Sequence, residues 1–136
     1  AYSLMMEIFI KDLELRTAMM NAWQTNSVIS RIANWIRNVY ESEEMGAAEA
    51  LFRIVLIEGV IFPIGFVPIF WITRNENGLM PGLGHVNELI ARDETLHKGF
   101  GIHMQTVIEE PIKADLAKQI ILEIEPICEE FTAACV

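Results

Sequence analysis

Cysteine is scarce in this sequence, since only Cys128 and Cys135 occur among 136 residues. In a helix, their spacing of seven residues corresponds to about 10 Å along the axis, which is too far for a disulfide. We therefore expect two reduced, packed cysteines and a reducing compartment such as the cytoplasm. No signal-peptide pattern is recognisable in the first residues of this sequence, which fits this expectation. The sequence opens at Ala1 directly in a helix-like run, which suggests a fragment or a processed chain.

Basic residues are few as well. Ten Lys and Arg stand against nineteen Asp and Glu, which gives a formal net charge of −9. Nucleic-acid binding needs a basic face, so we expect no nucleic-acid partner. Hydrophobic residues make up 52% of the chain, enough for a large core, and this composition argues against disorder. The length suits a single domain, residues 1–136.

Strand patterns, internal repeats and phosphate-cradling loops are absent from the sequence. Asp12 and Pro111 mark helix starts, the turn at 25–27 supplies caps for the helix that follows it, and residues 75–78 predict a turn. Six helices with short links are predicted, at about 3–10, 12–24, 28–40, 44–71, 81–108 and from 111 to the region 128–136.

One long apolar run, residues 54–72, has Glu58 as its only charge and is about long enough to span a membrane. A lone acid in lipid is costly, and Pro63 and Pro68 interrupt the run, so we expect a buried helix of a soluble bundle and no membrane. The prolines predict a kink or a local widening one to two turns after Glu58. The glycines of the run leave room for a second helix to approach: Gly59 and Gly65.

Glu94 and His97 form a Glu-x-x-His pair, whose side chains lie on one face of a helix. The pair alone is a weak signal, because such patterns also arise by chance on solvated faces. Glu58 strengthens it, since a buried carboxylate needs a basic partner, a proton or a cation. A buried salt bridge to Arg53 or to another base is the alternative for Glu58. The hydrophobic residues around the pair suit a buried helix: Leu89, Ile90 and Leu96.

Four segments together resemble the small, radical-generating subunit of class I ribonucleotide reductase, with its eukaryotic and viral branch the closer likeness. They are Glu-Gly-Val-Ile-Phe at 58–62, Phe-Trp at 70–71, Gly-Leu-Met-Pro-Gly-Leu at 78–83 and the run 87–97. The similarity covers essentially the whole chain in order. It implies an all-α, ferritin-like di-iron helical bundle. Residues 1–136 would be a single incomplete domain, the central-to-C-terminal part of that bundle.

The resemblance also implies roles for individual residues. Glu58, Glu94 and His97 correspond to three of the six iron ligands of the family, and Tyr2 corresponds to its radical tyrosine. Asp93 corresponds to the aspartate that links a metal-bound histidine to the electron path from the partner subunit. The apolar pocket around the radical corresponds to Phe62, Phe66 and Ile90.

The parent protein implied by this resemblance is the small subunit of ribonucleoside-diphosphate reductase. Two irons and oxygen generate a tyrosyl radical, which passes to the large catalytic subunit for the reduction of ribonucleotides to deoxyribonucleotides. A second small subunit completes a homodimer. The remaining ligands, an aspartate and a first Glu-x-x-His, would precede Ala1, and the electron-path tryptophan and the C-terminal docking tail have no counterpart. We therefore expect residues 1–136 by themselves to be inactive.

Two alternatives remain open at this point. A half-size four-helix protein would supply its three ligands twice through a dimer and act as an iron oxidase or store. A non-enzymatic helical scaffold would hold Glu58 in a structural ion pair and bind no metal. Coding sequence upstream of Ala1 separates the first alternative from the reductase, because the half-size protein needs none.

Overall fold

The computed structural model describes residues 2–74 and 79–135, and within these ranges all regular secondary structure is helical. This confirms the predicted all-α class. A π-helical segment, Ile57–Ile61, lies within one continuous helix, Ala47–Thr73, which we call the rod. The helices are α1 (Tyr2–Phe9), α2 (Leu13–Met20), α3 (Ala22–Thr25), α4 (Ser27–Glu41), α5 (Ala47–Leu56), α6 (Phe62–Thr73), α7 (Pro81–Val107) and α8 (Ala114–Cys135).

Local capping explains where α2 and α4 begin. The Asp12 carboxylate accepts a hydrogen bond from the Leu15 N–H at 3.0 Å, as predicted. The side-chain oxygen of Asn26 accepts from the N–H groups of Val28 and Ile29 at 3.0 and 3.1 Å. These bonds satisfy donors that have no partner within their own helix.

Three predicted boundaries were wrong. The second predicted helix is interrupted at Asn21, which closes α2 and precedes α3. The rod begins at Ala47, three residues later than expected, and α8 begins at Ala114, also three residues late. Before α8, the Ile112 N–H donates to the side chain of Gln105 on α7, so this segment is held by α7 instead of joining the helix. The turn predicted at 75–78 lies outside the described residues.

The core lies between α4, the rod and α8. Burial of one aliphatic side chain in this core stabilises the fold by about 1.5–3 kcal/mol, so the buried residues between these helices anchor the rod on α4 and α8. Cys128 is free and buried, as predicted, and burial raises the pKa of its thiol. The side chain of Cys135 lies outside the described residues. The buried cluster consists of Trp35, Val39, Ile57, Ile61, Ile120, Ile124, Ile127 and Cys128.

A buried arginine, Arg53, connects α5 to α8. Its guanidinium donates to Glu49 at 2.9 Å and to Glu123 at 3.1 and 3.3 Å, and it lies 5.3 Å from the centre of the Trp35 ring. Burial lowers the pKa of Arg53, but the hydrogen bonds and charges of the two glutamates outweigh it and raise the pKa above its ordinary value. The expected alternative, an ion pair of Arg53 with Glu58, is not formed.

α7 runs antiparallel to the rod and contacts it through small and polar residues. Leu89 and Leu96 are instead 39% and 66% exposed, so the expectation that they are buried was wrong. Glycines allow α7 to approach the rod closely, whereas large side chains at the contact would hold the two helices apart. The large apolar side chains of α7 therefore lie on the side that faces away from the rod. The stripe toward the rod, at alternating steps of three and four residues, is Gly84, Asn87, Ala91, Glu94, Lys98, Gly101 and Gln105.

The rod is long and apolar enough to cross a membrane, judged by length and composition. A core helix of a soluble protein has the same properties, and the rod carries core residues on the side that meets α4 and α8.

Candidate metal centre

Glu58 lies in the π-helical segment and not in a regular helix. The Phe62 N–H donates to the carbonyl of Ile57, five residues back, which makes this turn wider than an α-helical one. Pro63 has no N–H for the Gly59 carbonyl, and its ring would clash with that carbonyl in a regular helix. The widening was predicted, but its position was wrong, because a proline disturbs the turn before it and that turn contains Glu58.

Glu94 and His97 lie on α7, a helix of 27 residues, and both side chains face Glu58. Nδ1 of His97 is 2.9 Å from Oε2 of Glu94 and 3.5 Å from Oε2 of Glu58. One ligand atom from each residue lies within 4.8 Å of the other two. The structure therefore brings together three residues that the sequence placed on two separate helices.

The cluster contains two shielded carboxylates and one accessible imidazole. The side chains of Glu58 and Glu94 are 14% and 15% exposed, whereas that of His97 is 61% exposed. Burial, and then the neighbouring Glu94, raise the pKa of Glu58 to about 7, although His97 opposes this rise. The hydrogen bond with Glu94, together with the charge of Glu58, raises the pKa of His97 above its ordinary value. Two close carboxylates thus compete for one positive charge.

The donor set suits a transition-metal ion. Two carboxylate oxygens and one imidazole nitrogen are common ligands of iron, manganese and zinc. Oε2 of Glu58 is buried and has no hydrogen-bond partner of good geometry among the described residues, since its contact with Nδ1 of His97 is 3.5 Å long. Such an orphaned buried oxygen is costly unless a cation or a proton meets it. In the part of the protein that the structure describes, this is the one cluster of three candidate ligands found.

The three residues predicted to line an apolar pocket lie on two helices, Phe62 and Phe66 on α6 and Ile90 on α7, and the pocket itself remains a prediction. The rings of Phe62 and Phe66 lie 6.4 Å apart and tilted by 36°, and Phe66 is buried. Ile90 is half-buried on α7. Tyr2 begins α1, but its side chain lies outside the described residues.

Asp93 lies outside the metal-ligand cluster. Its carboxylate is more than half exposed and lies 3.4 Å from the guanidinium of its neighbour Arg92. A link between Asp93 and a metal-bound histidine therefore remains a prediction.

Lys98, which no sequence motif marks, also lies beside the cluster, and its side chain lies against Gly59. The prediction that Gly59 allows a second helix to approach is confirmed by this contact. Among residues 2–74 and 79–135 the same prediction for Gly65 was wrong, because a Cβ at Gly65 would meet none of their atoms within 4 Å. The only sequence signal for Lys98 is its place directly after His97, which does not distinguish it from a solvated lysine.

Comparison with known proteins gives one consistent family. The family model described as ribonucleotide reductase, small chain, matches residues 1–134. A ribonucleoside-diphosphate reductase small chain of Arabidopsis thaliana is 37% identical over 130 residues, which cover 96% of this chain and 37% of the relative. The small chain of Nicotiana tabacum is 34% identical, covering 99% and 42% respectively. That of vaccinia virus (strain Western Reserve) is 33% identical, covering 98% and 41%. The chain spans about two fifths of the length of these relatives.

Proposed function

Because this chain belongs to the small-chain family of ribonucleotide reductase, we propose that it is part of a ribonucleoside-diphosphate reductase small subunit and supplies half of its metal centre. Its fold is the all-α, ferritin-like bundle of that family, of which residues 1–136 form one incomplete domain. The observation that supports this function most directly is the cluster of Glu58, Glu94 and His97 with its orphaned buried oxygen.

In this proposal Glu58 and Glu94 bind the metal through carboxylate oxygens and His97 binds it through Nδ1. The carboxylates offset the charge of the ion, and the accessible imidazole leaves its side of the site open to further ligands. Since the pKa of Glu58 is about 7, metal binding at neutral pH displaces a proton from the cluster. Bound iron supplies the oxygen-dependent oxidation of a tyrosine, and the proposed tyrosine is Tyr2.

The surroundings have separate proposed roles. Phe62, Phe66 and Ile90 form the dry side of the radical pocket, where apolar side chains exclude water and reductants. Asp93, which is exposed, connects the site to the electron path from the large subunit. The radical that reaches the large subunit starts the reduction of ribonucleotides to deoxyribonucleotides, and the proposed compartment is the cytoplasm.

The proposed protein partners are a second small subunit and the large catalytic subunit. The proposal of protein partners is supported by the surface of α7 that faces away from the rod. Large apolar side chains are exposed on this side of the helix, which is typical of interaction surfaces. Its most exposed apolar residues are Leu96, Phe100 and Val107.

The scaffold alternative is less well supported. It requires a structural ion pair for Glu58, and Arg53 does not supply one because it is occupied by Glu49 and Glu123. The basic group that Glu58 meets is His97 at 3.5 Å, one imidazole shared by two carboxylates, so iron(II) binding decides between an ion pair and a metal site. The half-size alternative uses the same three ligands and differs in requiring a dimer, so the oligomeric state with and without metal separates it from the reductase.

The proposal is tested by replacing ligands one at a time. We expect Glu94→Ala and His97→Ala each to weaken iron(II) binding at least about tenfold, because each removes a donor from a three-donor site. Binding is measured by anaerobic titration of the metal-free protein. The matched control is the second Glu/His pair of α7, His85 and Glu88, which is 3.9 Å apart and largely exposed.

His85→Ala and Glu88→Ala should leave iron(II) affinity unchanged. A wild-type protein that binds no iron(II), or ligand variants that bind as well as these controls, would contradict the proposed function.

A further inference from the structure

The aliphatic stem of Lys98 lies directly across the backbone of the π-helical segment. A Cβ placed on Gly59 would be 2.6 Å from Cδ of Lys98 and 3.0 Å from its Cγ. Ordinary contacts between carbon atoms are about 3.5–4.0 Å, so residue 59 has to lack a side chain for the stem to lie there. This contact is adjacent to the metal ligands, since Gly59 follows Glu58 and Lys98 follows His97.

A second close contact joins the same two helices farther from the metal ligands. A Cβ on Gly101 would be 2.4 Å from Cγ2 of Val55. Beyond it, Nε2 of Gln105 donates to the carbonyl of Ala48 at 2.7 Å. Contacts between α7 and the rod therefore set their separation, and the contact at Gly59 is the one beside the candidate metal centre.

We propose that Lys98 is a positioning residue for the metal centre. Its stem, lying on Gly59, fixes how closely the π-helical segment approaches α7, and so holds Oε2 of Glu58 within reach of the ion bound by Glu94 and His97. The inference rests on the proposed function of the cluster. It deepens that function by assigning the ligand spacing to a residue that binds no metal.

Ligand spacing matters because metal–ligand distances tolerate deviations of only about 0.2 Å. Glu94 and His97 are held relative to each other by one helix. Glu58 comes from another helix, so its distance from the pair depends on contacts between the two. Glu58 lies on a π-helical turn, so the hydrogen bonds of a regular α-helix do not fix the direction of its side chain.

The geometry predicts that shortening Lys98 relieves the collision caused by a methyl group at residue 59. Gly59→Ala alone would collide with the Lys98 stem. We expect the collision to push α7 and the π-helical segment apart, whereas a stem that merely turned aside would leave Gly59→Ala equal to wild type. Lys98→Ala removes Cγ and Cδ and leaves its Cβ 3.8 Å from the new methyl group, which is an ordinary contact. The double variant should therefore recover the approach that the single glycine variant loses, a coupling that a double-mutant cycle measures.

The experiment titrates the metal-free protein with cobalt(II) and records both affinity and visible absorption spectrum. We expect Gly59→Ala to bind at least about tenfold more weakly with a changed spectrum. Gly59→Ala with Lys98→Ala should bind clearly more tightly than Gly59→Ala and regain the wild-type spectrum. Lys98→Met, which keeps an aliphatic stem without the charge, should resemble wild type.

The control is the matched pair Gly101 and Val55. Val55→Ala leaves a Cβ 3.8 Å from a methyl group at position 101, so this pair has the same steric relation away from the ligands. Gly101→Ala should lower the free energy of unfolding and leave the cobalt(II) spectrum unchanged, and Val55→Ala should recover part of that stability. An equal spectral change in both glycine variants would mean that general packing is responsible and would overturn the inference.

The remaining outcomes separate this inference from the proposed function. A wild-type protein that binds no cobalt(II) would overturn both. A protein that binds the ion, with Gly59→Ala equal to wild type or with no recovery in the double variant, would overturn the positioning role alone. If Gly59→Ala does not fold, the single lysine variants decide. Lys98→Ala, which lacks the stem, should bind cobalt(II) more weakly than wild type, whereas Lys98→Met should not. No loss in Lys98→Ala, or an equal loss in both variants, would overturn the inference.

Discussion

Glu58 is the residue whose protonation should control the stability of the metal-free protein. Burial and the adjacent Glu94 raise its pKa from 4.5 to about 7, so between these pH values the folded protein keeps a proton that the unfolded state releases. The stability contributed by this proton is fully present below about pH 4.5 and is lost as the pH rises through 7. The free energy of unfolding should therefore fall over this interval.

We expect Glu58→Gln, which cannot ionise, to be more stable than the parent protein at pH 8, by about 1–3 kcal/mol. The difference should become small at pH 5, where Glu58 is protonated in the folded parent protein. Urea unfolding of both metal-free proteins at pH 5 to 8 measures this difference in the free energy of unfolding. Glu88→Gln, at a largely exposed position of α7, is the control. Parallel stability profiles for Glu58→Gln and the parent protein would contradict the prediction.

At the scale of elements, the π-helical segment is the feature that orients Glu58. We expect Pro63→Ala to restore an N–H for the Gly59 carbonyl and to allow regular α-helical hydrogen bonding. Glu58 would then rotate relative to α7, since one residue corresponds to about 100° around a helix. Metal affinity should fall about tenfold, whereas the free energy of unfolding should stay the same or rise, because proline inside a helix costs up to about 3 kcal/mol.

Pro68→Ala is the matched control for this prediction. Pro68 lies inside α6, ten residues after Glu58, and its removal should also stabilise the helix. It should leave metal affinity unchanged, because the turn that carries Glu58 is not altered. Anaerobic metal titration and chemical unfolding of both variants measure the two effects. A Pro63→Ala protein that binds metal like the parent protein would show that the proline does not control the direction of Glu58.

α7 shows why an apolar pattern does not identify the buried face of a helix. Its leucines at 89 and 96 suggested the contact surface, yet a stripe of small and polar residues meets the rod. Gly84 and Gly101 permit close approach, and Glu94, on the same stripe, is shielded where it faces Glu58 on the rod. The period of the pattern predicted the helix, and the partner helix decided which side it buries.

At the scale of the whole molecule, the number of ions per protein molecule tests whether the described cluster acts alone. The cluster contains three candidate ligands, so we expect binding to saturate at one ion per molecule. The sedimentation coefficient of the protein should not change when metal is added. Metal analysis and sedimentation velocity over a range of protein concentrations measure both quantities. Dimerisation that depends on metal, and that is lost in His97→Ala, would instead support the half-size alternative.

The amino-acid sequence by itself determined the helical class, most helix positions, the cap formed by Asp12 and the spacing of Glu94 from His97. All of these depend on interactions within a few residues along the chain. The charge of Glu58 within an apolar run also identified it as a residue that needs a partner. The resemblance predicted from four segments is confirmed by the family model and the relatives.

Only the tertiary structure decided which groups meet. Arg53 was a possible partner for Glu58, but α8 brings Glu123 to it and leaves Glu58 to the cluster. The contact of Lys98 with Gly59 likewise joins residues that are distant in sequence. The physical reason is common to both cases. Local rules fix the direction of a side chain around its own helix, whereas the distance to a residue on another helix depends on how closely the two helices pack.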